Sequence, residues 1–135
     1  MADLPNTNNE EIEKFKIISE SENDGPVLML NLNRYRPEAK YPEGKLYEEY
    51  MTVLDQLLWE VGGEIKWRAQ VHGTLVGSQF IHEAIGIWYP SHHAFLSLMS
   101  APSSERNMLL RKEAVSMLTY IVVQRAKRRQ RRIET

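Results

Sequence analysis

Five residues of this sequence have side chains that could act together on a substrate: two histidines, one arginine and two asparagines. Imidazole titrates near neutral pH and is the commonest general base, so His72 and His82 are the candidate catalytic residues. The guanidinium of Arg68 could stabilise an oxyanion, and the amides of Asn31 and Asn33 could hydrogen-bond a carbonyl. These residue types predict proton transfer on a small hydrophobic carbonyl or phenolic compound.

Each of these residues also has a structural interpretation that the sequence leaves open. A single histidine on a strand more often has a structural or solvent-facing role than a catalytic one. Arg68 could form an ion pair with Glu64 or Glu83 of either subunit, and Asn31 could satisfy backbone groups. The sequence therefore allows two functions: a cofactor-independent enzyme, and a non-catalytic small-molecule-binding or structural dimer.

The motifs of metal, nucleotide and nucleophile sites are missing from the sequence. It has no cysteine, no H-E-x-x-H, no G-x-G-x-x-G and no serine in a nucleophile elbow. Adjacent His92 and His93 would point about 100° apart on a helix, so they cannot chelate one ion together. We therefore expect no metal and no cofactor.

The elements that must position these residues follow from hydrophobic periodicity and from capping residues. Strands are predicted at 26–35, 64–76, 80–89 and 118–124. Helices are predicted at 10–19, at 45–61, after the N-cap Ser91, and along a stretch that carries Met108, Leu109, Val115 and Leu118. The order β-α-β-β-α-β, preceded by an extra helix, predicts an α+β fold in which helices cover one face of an antiparallel four-stranded sheet.

The strand faces decide which side chains can meet. A three-residue loop at 77–79 places the large aliphatic side chains of the hairpin on one face and sets Arg68 opposite Trp88. We expect the helices to cover that face, which also carries Trp67, together with Leu28, Leu30 and Leu32. The other face then forms a concave small-molecule site. Its predicted residues are Met29, Asn31, Asn33, Arg68, Gln70, His72, His82 and Trp88, around the small Ala84 and Gly86.

An uncovered sheet face also predicts an assembly. Monomers rarely expose a large apolar patch, so we expect a homodimer in which the two sheets face each other. Arg34 and Arg36 alternate with Tyr35 at the end of the first strand, beside the loop 36–44, and could attract an anionic substrate. The predicted partners are therefore a second copy of the chain and a small hydrophobic or anionic ligand that contacts Asn31, Asn33, Arg34, Arg68 and Trp88.

Composition and charge place the chain among ordinary globular proteins. It has 135 residues, of which 42% are hydrophobic and 26% charged, which suits one domain at 24–124 between an N-terminal extension, 1–23, and a basic tail, 125–135. There is no secretory signal and no apolar run long enough to span a membrane, which predicts a soluble, cytoplasmic protein. The basic run RAKRRQRR lacks interleaved aromatic residues, so a solvated tail is favoured over a nucleic-acid site.

Several segments together resemble a known family. They are PVLMLNLNRYRPEA, the following YP-G loop, the GG-x-x-x-W-R turn and YPSHHAFLSLMSAP, within residues 24 to 124. They resemble an uncharacterised domain-of-unknown-function family of dimeric α/β-barrel proteins whose first strand reads MLNLLRFR. This chain departs from that strand at Asn33, which replaces a leucine, and at Tyr35, which replaces a phenylalanine.

The resemblance implies a ferredoxin-like fold in which two protomers close a barrel. The superfamily includes cofactor-independent monooxygenases, muconolactone isomerase, polyketide cyclases and EthD-like proteins, which use the barrel interior or the cavity between sheet and helices for a small hydrophobic ligand. It therefore implies a cofactor-independent enzyme of the isomerase, cyclase, lyase or monooxygenase type.

Overall fold

The computed structural model describes residue 4 and residues 6–123, so the basic run 125–132 lies outside the described residues. Within this part of the chain the strands are β1 (Val27–Tyr35), β2 (Glu64–Gln70), β3 (Glu83–Tyr89) and β4 (Val115–Val123). The α-helices are α1 (Asn9–Ser19), α2 (Lys45–Val61), α3 (His92–Leu96) and α4 (Ser104–Ala114). Short 3₁₀ helices cover Pro37–Ala39 and Ser97–Ser100.

The four strands form one antiparallel sheet in the order β2-β3-β1-β4. Helix α2 connects β1 to β2 across β3, and the segment with α3 and α4 connects β3 to β4 across β1, which is the split βαβ arrangement. Apolar side chains of α2, such as Leu54 and Leu58, form one core with Ile85 and Ile87 of β3. The predicted α+β architecture with an extra N-terminal helix is confirmed.

Local capping signals set the helix ends. The Asn8 side chain accepts from the backbone N–H of Glu11 at the start of α1, and Ser91 accepts from Ala94 at the start of α3. Gly62 ends α2 with φ of 82°, a left-handed conformation that glycine adopts without steric cost. Helix α4 ends at Ala114, so Val115 and Leu118, expected on a helix, belong to β4. No helix within the described residues is long and apolar enough to cross a membrane.

The predicted orientation of β1 is wrong. The side chains under the helices are those of Val27, Met29, Asn31, Asn33 and Tyr35, whereas the leucine row alternates with them and lies on the open face. Both rows begin with apolar residues, so hydrophobicity alone does not choose between them. Burial of the asparagine row follows from polar groups beneath the helices, such as Glu83 and Tyr47.

The predicted register of the β2–β3 hairpin is also wrong. Arg68 lies opposite Ile85 instead of Trp88, and the ladder is irregular between Ile65 and Trp67. Both strands are shorter than predicted, and residues 71–82 form a long connection between them. Successive side chains of a strand point to opposite faces. The bulge and the longer loop therefore place the side chains of β2 after Ile65 on the face opposite to the predicted one.

Trp67 lies over Gly86 on the open face of the sheet. A Cβ atom at position 86 would meet the indole of Trp67, so this position requires glycine. Trp67 was expected under the helices, and the shifted register places it on the opposite face.

The N-terminal helix packs on α3 through aromatic and polar contacts. The Phe15 ring lies 4.5 Å from the His92 ring and 5.2 Å from the Phe95 ring, between centroids. The Asp24 carboxylate accepts from the backbone N–H groups of His92 at 2.7 Å and His93 at 3.2 Å. Burial alone would raise the pKa of Asp24, but these bonds and the His92 side chain lower it overall.

Candidate functional site

A cavity of about 330 Å³ lies between the sheet and helices α2, α3 and α4. Most of its wall is apolar and comes from Leu54, Leu57, Ile87, Phe95, Leu98 and Met108. Its polar lining includes Asn31 of β1, Tyr120 of β4, and Asn107 and Arg111 of α4. We call this space the central cavity. An apolar wall with a few convergent polar groups is the usual form of a small-molecule site.

The two asparagines of the central cavity have buried polar atoms without partners. Asn31 is 7% exposed and Asn107 is 6% exposed. Among the described residues, neither Asn31 Oδ1 nor Asn107 Nδ2 has a hydrogen-bond partner. Such an atom costs about 1–3 kcal/mol when it stays unsatisfied. One atom is an acceptor and the other a donor, so a ligand hydroxyl, which can both donate and accept, suits this pair.

Tyr120 and Arg111 add a hydroxyl and a positive charge to the same cavity. Tyr120 lies directly opposite Asn31 in the β1–β4 ladder, and Arg111 follows Asn107 by one helical turn in α4. Burial raises the pKa of Tyr120, and the charge of Arg111, together with a hydrogen bond from its guanidinium, opposes that rise. The tyrosine therefore stays protonated at neutral pH beside a guanidinium that can stabilise negative charge on a ligand oxygen.

A second polar cluster fills the end of the sheet beneath α2. The carboxylate of Glu83, which is 4% exposed, accepts from Tyr35 Oη at 2.7 Å and from Tyr47 Oη at 2.9 and 2.8 Å. Asn33 Nδ2 donates to Tyr35 Oη at 3.2 Å. Burial, followed by interaction with Glu83, raises the pKa of Tyr47. Because both hydroxyls and the carboxylate are paired, this cluster ties β1, β3 and α2 together.

The backbone is similar to several solved structures. Protein RPA0582 of Rhodopseudomonas palustris, of unknown function, matches with a TM-score of 0.72 and 26% identity over 93% of this chain and 98% of its own. Protein At3g17210 of Arabidopsis thaliana matches with a TM-score of 0.60 and 12% identity over 77% and 99% of the two chains. A dabb family protein with a ferredoxin-like fold from Mesorhizobium loti matches with a TM-score of 0.50 and 10% identity over 76% and 99%. This chain has a ferredoxin-like fold.

No family model and no curated protein matches the chain. The ferredoxin-like fold implied by the sequence resemblance is confirmed by the structural similarity. The particular family with the first strand MLNLLRFR is not supported, because no family model matches.

The predicted shared hollow of Asn31, Arg68 and Trp88 does not exist in the ferredoxin-like sheet. Asn31 lines the central cavity beneath the helices, whereas Trp88 is half-buried on the open face, with Lys66 Nζ 5.6 Å from its ring centroid. Arg68 is exposed on the helix side of the edge strand. Burial raises the pKa of Tyr47, and Arg68 is close enough to oppose that rise through its charge.

The two predicted catalytic histidines lie outside the lining of the central cavity. His72 is exposed in the 71–82 connection. His82 lies at the end of the sheet, where its Nδ1 accepts from the backbone N–H of Tyr35 at 2.9 Å. Arg34 lies near it, with its Nε donating to Ser116 Oγ at 3.3 Å. The structure thus gathers His82 and Arg34 at a surface pocket, apart from Asn31.

Sequence reasoning missed Asn107, Arg111 and Tyr120. A usable signal was the spacing of Asn107 with Leu110 and Ala114, which places all three on the buried stripe of α4. A polar residue on such a stripe needs a partner or a ligand. The β1–β4 register, which sets Tyr120 beside Asn31, depends on tertiary pairing and left no local signal.

The face of the sheet opposite the helices is apolar. Leucines of β1 alternate outward there, and Trp67, Ala84, Gly86 and Ile121 lie on neighbouring strands in register with them. Trp67 is 44% exposed and Ile121 is 42% exposed. The leucine side chains of β1 occupy this face, where the asparagine side chains were predicted, so the face is more apolar than expected.

Proposed function

We propose that the protein binds a small, largely apolar molecule in the central cavity, with a ligand hydroxyl between Asn31 and Asn107. The supporting observation is that Asn31 and Asn107, each with a buried amide atom that has no partner among the described residues, one an acceptor and one a donor, line the same largely apolar space of about 330 Å³. A phenol or a hydroxy-carbonyl compound has both an apolar ring or chain for the apolar wall and a hydroxyl for the two asparagines. Its binding would remove the cost of both unsatisfied groups.

The proposal extends to a cofactor-independent reaction of the isomerase, cyclase, lyase or monooxygenase type. Arg111 and Tyr120 are placed to stabilise an oxyanion that develops on a carbonyl or phenolic oxygen. In this proposal Tyr120 replaces His72 and His82 as the group that holds the proton, because neither histidine lines the central cavity.

A non-catalytic binding protein is the second candidate, and the composition of the cavity supports it. The described lining contains no histidine, and its one carboxylate belongs to Glu105, which is an exposed residue. A base for proton abstraction must therefore come from an exposed group or from the substrate itself. Turnover by the wild-type protein distinguishes the two candidates.

The same proposal includes a homodimer that buries the open face of the sheet. Leu28, Leu30 and Leu32 with the exposed Trp67 and Ile121 form an apolar surface of the kind that soluble monomers seldom leave uncovered. A face-to-face pair would be isologous, with the same residues contributed by both copies. Sedimentation of wild type and of Leu30→Lys tests this part.

Asn107→Leu is expected to stabilise the protein and to weaken ligand binding. The substitution removes an unsatisfied buried amide and puts an apolar side chain of the same branching beside the cavity, so the free energy of unfolding should rise by about 1–2 kcal/mol. A ligand at about 100 times its Kd should stabilise wild type by about 2.7 kcal/mol, and it should stabilise the variant by less than about half of this. Chemical unfolding with and without phenols and hydroxyketones measures both effects.

The matched control is Asn23→Leu, which makes the same replacement at an exposed position. It should leave the ligand-induced stabilisation intact. If no phenol or hydroxyketone stabilises wild type, or if Asn107→Leu still binds equally well, the proposed site is wrong. Once a ligand is found, product formation that falls in Tyr120→Phe at unchanged affinity indicates an enzyme, and lack of product with wild type indicates a binding protein.

A further inference from the structure

A basic surface pocket of about 460 Å³ lies where β1 ends. We call it the sheet-end pocket. Three cationic residues line it, Arg34, Arg36 and Lys40, and no acidic residue is among the described lining. A neighbouring groove shares Arg36 and Ser116 and adds Arg111 and Lys112, again without an acidic residue in its described lining. Positive charge is therefore concentrated on this surface without a matching carboxylate.

The arginines are held in place but keep free donors. Arg34 Nε donates to Ser116 Oγ at 3.3 Å, and Arg36 Nε donates to the backbone oxygen of Lys112 at 3.0 Å. Each guanidinium has five N–H donors, so these single bonds leave most of them for another acceptor. Within the described residues none of the three cations forms an ion pair. Oriented guanidinium groups with spare donors suit the oxygens of a phosphate.

Lys40 is held in a conformation that a lysine seldom adopts. Its φ is 50°, in the left-handed region, although it is not a glycine. Its backbone N–H donates to Pro37 O at 3.0 Å, and its carbonyl accepts from Gly44 N–H at 2.7 Å. A Cβ at position 44 would meet Ala39 and Lys40, so the turn is closely packed. Backbone strain held by its surroundings is concentrated at functional sites.

Aromatic rings form the other wall of the sheet-end pocket. Phe80 is 60% exposed, and its ring centroid lies 4.8 Å from that of His82 and 6.0 Å from the Arg34 guanidinium carbon. The Tyr41 ring lies 5.7 Å from the His82 ring. Because His82 Nδ1 accepts from the Tyr35 backbone, the neutral ring carries its proton on Nε2 as a further donor. An exposed phenylalanine beside these rings offers a stacking surface for a planar group.

We propose that the sheet-end pocket binds a small aromatic phosphomonoester, with its phosphate among Arg34, Arg36 and Lys40 and its ring against Phe80 and Tyr41. A phosphate dianion matches three uncompensated cations better than a single carboxylate does. The lining of this pocket shares no residue with that of the central cavity. The site is therefore independent of the proposed function.

Phenyl phosphate tests the proposal as a probe by isothermal titration calorimetry on the full chain. Saturable binding is expected, and inorganic phosphate and benzoate, which each lack one half of the probe, should bind at least about tenfold more weakly. Arg36→Gln and Lys40→Gln should each weaken phenyl phosphate binding about fivefold. Lys16→Gln removes the same charge from α1 and should leave the affinity unchanged.

Lys40→Gly separates the effect of Lys40 on ligand binding from its effect on stability. Glycine adopts the left-handed conformation without strain, so the melting temperature should rise while phenyl phosphate binding weakens as it does in Lys40→Gln. Four results would overturn the proposal: no saturable binding of phenyl phosphate, equal binding of inorganic phosphate, equal weakening by Lys16→Gln, or loss of binding in Asn107→Leu. The last result would place the probe in the central cavity.

Discussion

We expect the double substitution Tyr35→Phe and Tyr47→Phe to lower the free energy of unfolding by about 3–5 kcal/mol, because it removes the donors that satisfy a buried carboxylate. Glu83 is 4% exposed, and both of its oxygens accept from these two hydroxyls at 2.7 to 2.9 Å. The phenylalanines keep the ring packing, so the change isolates the hydrogen bonds. Urea unfolding followed by circular dichroism measures the loss.

The triple variant Glu83→Leu, Tyr35→Phe, Tyr47→Phe is the control. Removing the carboxylate as well as its donors leaves the Asn33 amide as the one unpaired polar group of this cluster, and replacing a buried charge together with its partners is often neutral or stabilising. The triple variant should therefore regain most of the stability that the double variant lost. A double variant that loses less than about 1 kcal/mol would mean that Glu83 reaches water or another donor, contrary to its observed burial.

The second large effect is expected at alkaline pH. Burial raises the pKa of Tyr35, Tyr50 and Tyr89 above the ordinary value of 10, with hydrogen bonding by Glu83 adding to the rise at Tyr35. Above pH 10 the unfolded chain releases these protons and the folded chain keeps them, so stability is complete below pH 10 and declines as pH rises. Each tyrosine contributes about 1.4 kcal/mol per pH unit, so these three together contribute about 4 kcal/mol per unit. Tyr47 and Tyr120, whose pKa values burial also raises, add to this slope.

Tyr89→Phe checks the alkaline effect. It removes one of the three protons, so the slope of stability against pH should fall by about 1.4 kcal/mol per unit. Denaturant unfolding at a series of pH values gives the slope, and the ultraviolet absorbance of tyrosinate reports ionisation. If the buried tyrosines ionise near pH 10 without any loss of folded protein, they are not desolvated as described.

Features coded locally in the sequence were predicted well. Capping by Asn8, by Ser91 and by the left-handed Gly62 acts within one helical turn, so the bounds of α1 and α2 and the start of α3 could be placed from the sequence. The order of strands and helices followed from the same local periodicities. The ferredoxin-like topology then follows, because few arrangements join such elements with short connections.

Features decided by tertiary contacts were not predicted. The two rows of β1 are both apolar at their start, and the choice between them depends on Tyr35 meeting Glu83 and on Asn31 meeting a cavity. The register of β2 depends on a bulge after Ile65 and on the 71–82 connection, neither of which has a short-range signature. Each error moved a whole row of side chains to the opposite face, because the side-chain period of a strand is two.

The space predicted beside Asn31 lies on the other side of the sheet. A polar-lined space next to Asn31 is present, but it lies beneath the helices, and its other polar residues come from α4 and β4 instead of the hairpin. The face expected to hold the ligand is instead apolar, which favours its proposed role as a dimer surface. His82 and Arg34, expected at the ligand, lie in the sheet-end pocket.

The most direct test of the central cavity follows the side-chain amide signals of Asn31 and Asn107 by nuclear magnetic resonance while 4-hydroxyacetophenone is added. This probe carries a phenol hydroxyl and a carbonyl on one ring. Saturable shifts of both side-chain amides are expected, with no shift of the exposed Asn23 and with loss of the effect in Asn107→Leu. Saturable shifts confined to Trp67 and Trp88 on the open face, with Asn31 and Asn107 unchanged, would contradict the proposed site.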